Sequence, residues 1–589
     1  MRGLWKKMTA AALCAVTAVS TAACGAGGGS SASAENTYSV WLYSAQDASY
    51  YTDYSENPAL QYVQSKTWGS EEKAVALEFL VPPSGSEQDN YQTMVASGEY
   101  PDVLMGAISD PAPILYENGI IMDLTDYVEE YMPNYTAFLE AHEDFRANVV
   151  YEIDGEEKIL SITAANEDYP YYFCGPQYRR DWIVKYGTNP ETGEAFTGGY
   201  TDPEDPDSWE DDVVFPSGGT EPVYISDWEW MFGIFTRAQA DLGIEDSYSM
   251  SVYYPGFSWS GGLCSSFGGG VPVWYKNTDG EVVFGGDSEQ MRAYLECLNT
   301  WYANGWLDQE FNERTSDSFY AIDDTSVRQG EVGLWVGSQG QLGGRMDLND
   351  GGYTEGICSY GCAWPINDVY GTEECKYVEP DCVPATSLSG TPYFITTAAE
   401  GKDIATLCSF LDYFYSEEGA LIRTLGLSGE QAAESGSSLY EEWGLADGAY
   451  SVGDDGRYIK SDVLVSDSGN LQIACNLEKL PGITLISSVD NGYADTYEAS
   501  LASWLKYKNT GFFQGSAVTN NMTNEDAGVC DDIRTRVLDY MTIHAPEMIT
   551  GATDPFDDGD WNTWSTMLQK YNYQKATEIY QPYADQYTF

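Results

Sequence analysis

The segment that decides the fold is DNYQTMVASGEYPDVL, residues 89–104. Residues 89–97 have a helical pattern, and Gly98 follows them at a position where a helix can end. Residues 100–105, Tyr-Pro-Asp-Val-Leu-Met, have the character of a short strand. The segment therefore predicts a helix that leads through a glycine turn into a strand.

The residues before this segment extend the same pattern. Residues 39–43 and 75–80 are predicted as short strands, and residues 59–66 between them are helical in pattern. Alternating strands and helices favour a parallel α/β sheet. Ligands bind such sheets beyond the carboxyl ends of the strands, so residues that follow a strand are the first candidates for a site.

The N-terminus has the order of an export signal. Three cationic residues precede the apolar residues 8–19, a run too short to span a membrane, and small residues then lead to Cys24. We predict that residues 1–23 are a removed signal peptide and contribute nothing to the fold.

The small residues around Cys24 resemble a bacterial lipobox, in which the cysteine is acylated and becomes the new N-terminus. Residues 24–36 begin with Gly, Ser and Ala and would form a flexible tether. This predicts a protein held by lipid on the extracellular face of the cell membrane. An ordinary secretory cut near Ala23, which would release the protein, is the alternative.

Composition argues against several classes of partner. The chain has 589 residues and a formal net charge of −64, a field that repels nucleic acid, anionic headgroups and anionic polysaccharides. Its hydrophobic content of 43 % supports a large core, and its length predicts two or three domains. From residue 38 onward no apolar run is long enough for a second membrane span.

Four of the twelve cysteines cluster between Cys358 and Cys382. In an exported chain the pairs Cys358/Cys362 and Cys375/Cys382 could close local disulfide loops, although spacing does not fix the connectivity. Zinc is disfavoured because no Cys-x-x-Cys occurs and neither histidine of the chain lies near the cluster in sequence.

Several motifs follow the order of one protein family. Residues 89–104 resemble a signature of extracellular solute-binding proteins of carbohydrate ABC importers. The further motifs are YENGIIMDL (116–124), YRRDWI (178–183), DGEVVFG (279–285), LNTWYANGWLDQEF (298–311), RQGEVG (328–333) and FLDYFYSEEG (410–419). The chain is most similar to the large oligosaccharide-binding lipoprotein branch of this family.

This resemblance implies a two-lobed, periplasmic-binding-protein-like α/β fold with a central ligand cleft and a hinge. Lobe 1 would comprise residues 37–175 and about 391–485, and lobe 2 residues 176–390 and about 486–589. The implied function is capture of a neutral oligosaccharide and its delivery to an ABC permease, by a monomer that needs no cofactor. A peptide or another solute remains open as the ligand.

Some members of the family carry an EF-hand-like calcium loop soon after the Arg-Asp-Trp motif. Residues 201–212 occupy that place here and are rich in Asp and Glu, but they lack the alternating ligands, central Gly and final Glu of such a loop. We predict a solvated acidic insertion, with a structural calcium as the alternative.

Sugars present apolar faces and a rim of hydroxyls, so a binder needs flat aromatic rings together with polar or charged side chains. Aromatic and polar residues that follow predicted strands, occupy Gly-rich loops or lie at the expected junction of the lobes are the candidates. They are Gln46, Tyr50, Tyr51, Asp181, Trp182, Trp259, Trp335, Arg345 and Trp364.

Two other functions are compatible with the sequence. A surface sensor or glycan-binding adhesin could share the same fold. A glycoside-active enzyme needs two suitably spaced carboxyl groups, which 92 acidic residues cannot exclude, but none of the common hydrolase motifs is present. We therefore predict a binding protein and name no catalytic residue.

Overall fold

The computed structural model describes most of the chain in separate segments. They are residues 32–42, 50–51, 53–83, 86–106, 111–142, 145–146, 149–167, 174–202, 208–252, 262–267, 274–277, 279–313, 326–327, 329–338, 357–371, 391–466, 470–490, 502–504, 506 and 522–585.

Strands and α-helices occur throughout the described residues. The strands are β1 (Thr37–Leu42), β2 (Thr67–Trp68), β3 (Lys73–Ala74), β4 (Ala76–Leu80), β5 (Val103–Met105), β6 (Val150–Ile153), β7 (Glu156–Ile159), β8 (Ile162–Thr163), β9 (Ala165–Asn166), β10 (Cys174–Arg179), β11 (Gly198–Tyr200), β12 (Trp209–Asp211), β13 (Trp274–Lys276), β14 (Val282–Phe284), β15 (Leu334–Ser338), β16 (Ser359–Gly361), β17 (Pro392–Ile395), β18 (Tyr450–Val452), β19 (Tyr458–Lys460), β20 (Ile483–Thr484) and β21 (Val489–Asp490). The α-helices are α1 (Pro58–Gln64), α2 (Glu87–Ser97), α3 (Ala112–Glu117), α4 (Thr125–Tyr131), α5 (Pro133–Ala141), α6 (Arg180–Tyr186), α7 (Ile225–Leu242), α8 (Glu289–Ala303), α9 (Ile404–Asp412), α10 (Glu417–Thr424), α11 (Gly429–Ser435), α12 (Leu439–Glu442), α13 (Asp462–Ser466), α14 (Asn470–Cys475), α15 (Asn524–Ile549), α16 (Asp558–Lys570) and α17 (Tyr573–Ala584).

The first lobe is built on a five-stranded sheet with the order β4-β1-β5-β17-β8. Strand β1 runs parallel to β4 and β5, as predicted, and α2 ends at Gly98, which adopts a φ of 70°. The parallel pairing predicted from the first strands does not extend across the whole sheet, because β17 lies antiparallel to both β5 and β8. The sheet is mixed because β17 enters it from the edge at which the other strands end.

The Pro-Asp motif stabilises this sheet at its opposite, amino-terminal edge. The carboxylate of Asp102 accepts hydrogen bonds from the backbone N–H and the hydroxyl of Ser39, at 2.6 and 2.8 Å, and forms an ion pair with Lys402 at 2.7 Å. The motif therefore ties β1, β5 and the segment before α9 together, at the end of the sheet opposite to the carboxyl ends of β1 and β5.

The second lobe contains a three-stranded antiparallel sheet with the order β15-β10-β16. Its core is rich in aromatic side chains on α7 and α8, where the rings of Phe232 and Trp301 meet edge to face at 4.9 Å. The C-terminal helices complete this core, since Val537 of α15 and Ala576 of α17 belong to it. A short 3₁₀ helix lies at Gly262–Phe267.

Cys358 and Cys362 are among the buried free thiols of the described residues. A disulfide between these two is therefore wrong, while Cys375 and Cys382 lie outside the described residues. Burial raises the pKa of the Cys358 thiol well above its ordinary value. Within the described residues, no helix combines the length and apolar character of a membrane span.

Candidate functional site

One edge of the first-lobe sheet gathers strand ends in a single row. Leu42 pairs with Met105, Met105 with Tyr393, and Tyr393 with Ile162. In this row β1 and β5 reach their carboxyl ends, β17 begins, and β8 is about to end. The chain enters or leaves the sheet at this edge four times, which is the arrangement that places binding loops together.

The second-lobe sheet has a matching edge. Cys174 at the start of β10 pairs with Ser338 at the end of β15, and the Cys362 N–H, just after β16, donates to the Pro176 carbonyl at 2.9 Å. Residues 164–173 connect β8 of the first lobe to this edge. Residues 164–173, where the chain crosses from the first lobe to the second, thus begin and end next to these two edges. We call the two edges together the candidate cleft.

Trp504 lies at the second-lobe edge, and the sequence analysis did not select it. Its indole N–H donates to the Pro176 carbonyl at 3.1 Å, and its ring covers Gly175 so closely that a Cβ there would come within 2.5 Å of three ring atoms. The ring is partly exposed. Because Trp504 belongs to a short helical turn and follows no predicted strand, its position in sequence gave no signal for a role in the cleft.

Trp364 is the one predicted tryptophan of the second lobe that is placed beside this edge and partly exposed in the described residues. It follows β16 by three residues, and its ring lies 6.0 Å from the buried Trp228 ring at an angle of 35°. Trp364 and Trp504 therefore present two half-buried indoles at the same edge, held by the core on one side.

Tyr50 and Tyr51 lie in the first lobe, in the segment between β1 and α1. The Tyr50 ring is half-buried and meets Trp443 edge to face at 5.8 Å. Tyr51 is buried and its hydroxyl accepts a hydrogen bond from Asn57 at 3.3 Å. The Tyr50 ring thus keeps an accessible surface, whereas the buried Tyr51 ring is part of the packing.

Trp335 does not follow a strand as predicted, because β15 begins at Leu334 and includes it. Its side chain is 1 % exposed and packs with Val327 and Val332. It belongs to the core, and in this structure no face of its ring is available to a ligand.

Asp181 and Trp182 follow the carboxyl end of β10. This is the end farther from residues 164–173, where the chain crosses between the lobes. Arg179 binds Asp181 with two hydrogen bonds of 2.8 and 2.6 Å, and its guanidinium carbon lies 4.2 Å above the Trp182 ring. Trp182 is 3 % exposed. Asp181 and Trp182 thus lie in the first turn of α6 and are held by Arg179, which precedes the Arg-Asp-Trp motif. At this end of β10 they lie away from the candidate cleft.

The acidic stretch after this motif is only partly solvated. Asp212 is exposed, but Asp211 forms a pair with Arg180 in which the two side chains are 5 % and 4 % exposed. Burial alone would raise the pKa of Asp211, but hydrogen bonds from Arg180 and Trp209 outweigh it and hold that pKa below its ordinary value. The prediction of a solvated insertion is therefore wrong for Asp211.

Other predicted residues lie outside the described residues: Gln46, Trp259, Arg345 and the lipidation site Cys24. Across the segments that are described, no group of three or more His, Cys, Asp or Glu side chains could hold a metal ion.

Residues 19–164 match the family of bacterial extracellular solute-binding proteins. No curated protein sequence matches the chain. Among solved structures, an extracellular solute-binding protein from Bifidobacterium longum subsp. infantis is similar with a TM-score of 0.67 and 15 % identity over 95 % of this chain and 100 % of that one.

Two further solved structures have ligands in their descriptions. A human milk oligosaccharide (HMO) binding, ABC-transporter-associated protein from Bifidobacterium longum infantis has a TM-score of 0.64 and 13 % identity, covering 94 % of this chain and 99 % of that one. The Streptococcus pneumoniae substrate-binding protein FusA, as an EF-hand mutant with fructo-nystose, has a TM-score of 0.62 and 14 % identity with the same coverage. The chain thus matches the bacterial extracellular solute-binding proteins over residues 19–164 and has the two-lobed fold of these structures over most of its length.

Proposed function

We propose that this protein is an extracellular binding protein that captures a neutral oligosaccharide and delivers it to an ABC permease. The observation that carries the proposal is that the second-lobe edge, which follows the first-lobe sheet directly in sequence, presents the half-buried rings of Trp364 and Trp504. The likeness in fold to proteins described as binding fructo-oligosaccharide or milk oligosaccharides supports it.

The division of the chain into lobes is part of this proposal. The buried cluster around the first sheet draws on residues 38–165 and 393–483, and the cluster of the second lobe on residues 178–362 and 530–584. This supports boundaries near residues 175, 390 and 485. The first-lobe boundary near residue 485 must be moved to include Val489 and Asp490, because β21 pairs with β19 of the first lobe.

Capture would proceed by closure of the lobes over the sugar. A ligand shifts the open and closed populations only by its difference in affinity for the two states, so contacts from both lobes are needed. Tyr50 would contribute from the first lobe, and Trp364 and Trp504 from the second. An aromatic ring stacked on a sugar buries apolar area and exposes its polar edge to hydroxyls.

Attachment to the membrane is proposed at Cys24, through lipid added after removal of residues 1–23. The residues up to Ser33 would then serve as a tether that leaves a monomeric binding domain free to meet its permease. Mass spectrometry of the membrane fraction tests this, since a diacylated Cys24 peptide is expected in the wild type and none in Cys24→Ala.

The test of ligand capture is calorimetric titration of residues 34–589 with neutral trisaccharides and tetrasaccharides, with peptides as controls. Saturable binding without consumption of the sugar supports a binding protein. Trp504→Ala should weaken that binding by about 1–3 kcal/mol, or roughly 5- to 150-fold in Kd, because a stacked indole is lost.

The matched control is Phe556→Ala, which removes an exposed aromatic side chain from a segment of the second lobe away from the cleft. Its affinity should equal that of the wild type. Binding of peptides but no sugar would refute the saccharide ligand, and release of shorter sugars during titration would identify an enzyme instead.

A further inference from the structure

A surface groove of 680 Å³ lies in the second lobe, at the end of β10 that faces away from the cleft. Its lining includes Arg179, Asp181 and Trp182, here called the floor, Tyr200 and Trp209, here called the aromatic wall, and the exposed Lys185. The volume falls within the ~300–1,000 Å³ that small-molecule sites occupy. The groove has the size of a binding site and does not belong to the cleft.

The floor of the groove is rigid and electrically balanced. Arg179 donates two hydrogen bonds to the Asp181 carboxylate and a third to the Val327 carbonyl at 3.1 Å. The side chains of this pair are 6 % and 11 % exposed. Because the charges of Arg179 and Asp181 satisfy each other before any ligand arrives, this pair offers planar polar edges without a net charge of its own.

The aromatic wall is also held in place. The Tyr200 and Trp209 rings meet edge to face at 4.9 Å on the hairpin of β11 and β12. The Tyr200 hydroxyl donates to the Ile357 carbonyl at 2.8 Å, and the Trp209 indole N–H donates to Asp211 at 2.8 Å. Both rings are nevertheless partly exposed, so they form a preorganised surface that loses little entropy on binding.

The groove and the cleft are separated by the length of one strand. The cleft edge contains Cys174, the groove contains Arg179, and the six residues of β10 span about 17 Å at ~3.4 Å per residue. A small ligand in the groove would therefore contact no residue of the cleft edge.

We propose that this groove is a second binding site for a neutral saccharide, independent of the cleft. Flat, partly exposed aromatic rings suit the apolar face of a sugar, while the paired planar groups of Arg179 and Asp181 and the backbone of Gly198 and Gly199 suit its hydroxyls. The site binds the end of a saccharide chain on the outside of the second lobe, whether or not the lobes close.

The test uses the mature chain labelled with 5-fluorotryptophan and observed by ¹⁹F NMR. Trp209→Phe assigns the Trp209 signal, and the probes are maltotriose, cellotriose and 1-kestose at millimolar concentrations. We expect the Trp209 signal to shift saturably with at least one trisaccharide, with the same apparent Kd in the wild type and in Trp504→Ala. A Trp209 signal that moves with none of the three overturns the proposal.

Two variants complete the experiment. Tyr200→Ala should raise the apparent Kd for the Trp209 shift at least 10-fold while leaving the Trp504 signal responsive, whereas Phe556→Ala should change neither. A Trp209 shift that disappears in Trp504→Ala would also overturn the proposal, because it would be an indirect effect of cleft binding. If only the proposed saccharide binding in the cleft is wrong, the Trp504 signal will not respond to the trisaccharides.

Discussion

Asp211→Asn provides the sharpest test of how the second lobe is held together. The Asp211 carboxylate accepts hydrogen bonds from Arg180 at 2.8 and 2.6 Å, from the Trp209 indole at 2.8 Å and from the Val213 N–H at 3.0 Å. An asparagine keeps one oxygen and turns an NH₂ group toward the guanidinium. The variant therefore leaves a buried Arg180 charge without its counter-charge.

The expected loss is about 3–5 kcal/mol, which is the usual cost of removing one partner from a buried ion pair. With about 2–4 °C per kcal/mol for a domain of this size, the calorimetric transition of the second lobe should fall by roughly 6–20 °C. The aromatic wall should loosen as well, because Trp209 loses an acceptor. Asp212→Asn is the matched control, since the neighbouring carboxylate is exposed, and its transition temperature should fall much less than that of Asp211→Asn.

Acidity gives a second measurement on the same pair. The lowered pKa of Asp211 means that its stabilisation is present above the ordinary aspartate pKa of ~3.9 and is lost as the pH falls below it. Asp211→Asn should lack this part of the acid dependence. The double variant Arg180→Met/Asp211→Leu should recover stability, because an apolar pair leaves no orphaned charge. Equal transitions in Asp211→Asn and Asp212→Asn would refute the reasoning.

Other predictions concern the first lobe. Burial would raise the pKa of Asp403, but hydrogen bonds from Lys73 and Thr406 outweigh it and lower that pKa from 3.8 to about 2. Its stabilisation is thus complete above pH 4 and lost toward pH 2, so unfolding curves of Asp403→Asn should depend less on pH in this window than those of the control Glu400→Gln. Gly419→Ala places a Cβ 1.9 Å from the Tyr413 carbonyl oxygen and should cost about 1–3 kcal/mol in urea unfolding. Gly528→Ala, where a Cβ meets nothing within 4 Å, should instead stabilise α15 by about 0.5–1 kcal/mol, and the same sign in both variants would contradict the steric argument.

Local pattern was sufficient to predict the first sheet but not its last strands. Residues 89–104 predicted α2 and β5, and residues before them predicted β1 and β4, because periodicity and turn residues are local signals. The direction of β17 depends on the side from which the chain returns after the second lobe. No property of residues 392–395 themselves encodes that direction.

The candidate site was harder to predict because contact partners lie far apart in sequence. Trp335 was expected to follow a strand, but β15 runs from Leu334 to Ser338 and includes it, so its burial was missed. The position of the Trp504 ring depends on its packing against Gly175, which lies more than 300 residues earlier in the sequence. Asp211 lies among several exposed acidic residues, and only its distance to Arg180 separates it from them.

The buried free thiols, among them Cys358 and Cys362, have a consequence for how the described part of the fold forms. Neither of these two thiols bridges to another residue, so the packing around them is complete without oxidation. The core around Cys358 and Cys362 therefore forms without a thiol oxidase. An oxidant can reach these buried sulfurs only when the surrounding structure opens locally. The rate at which the thiols are oxidised would therefore report how often such local opening occurs.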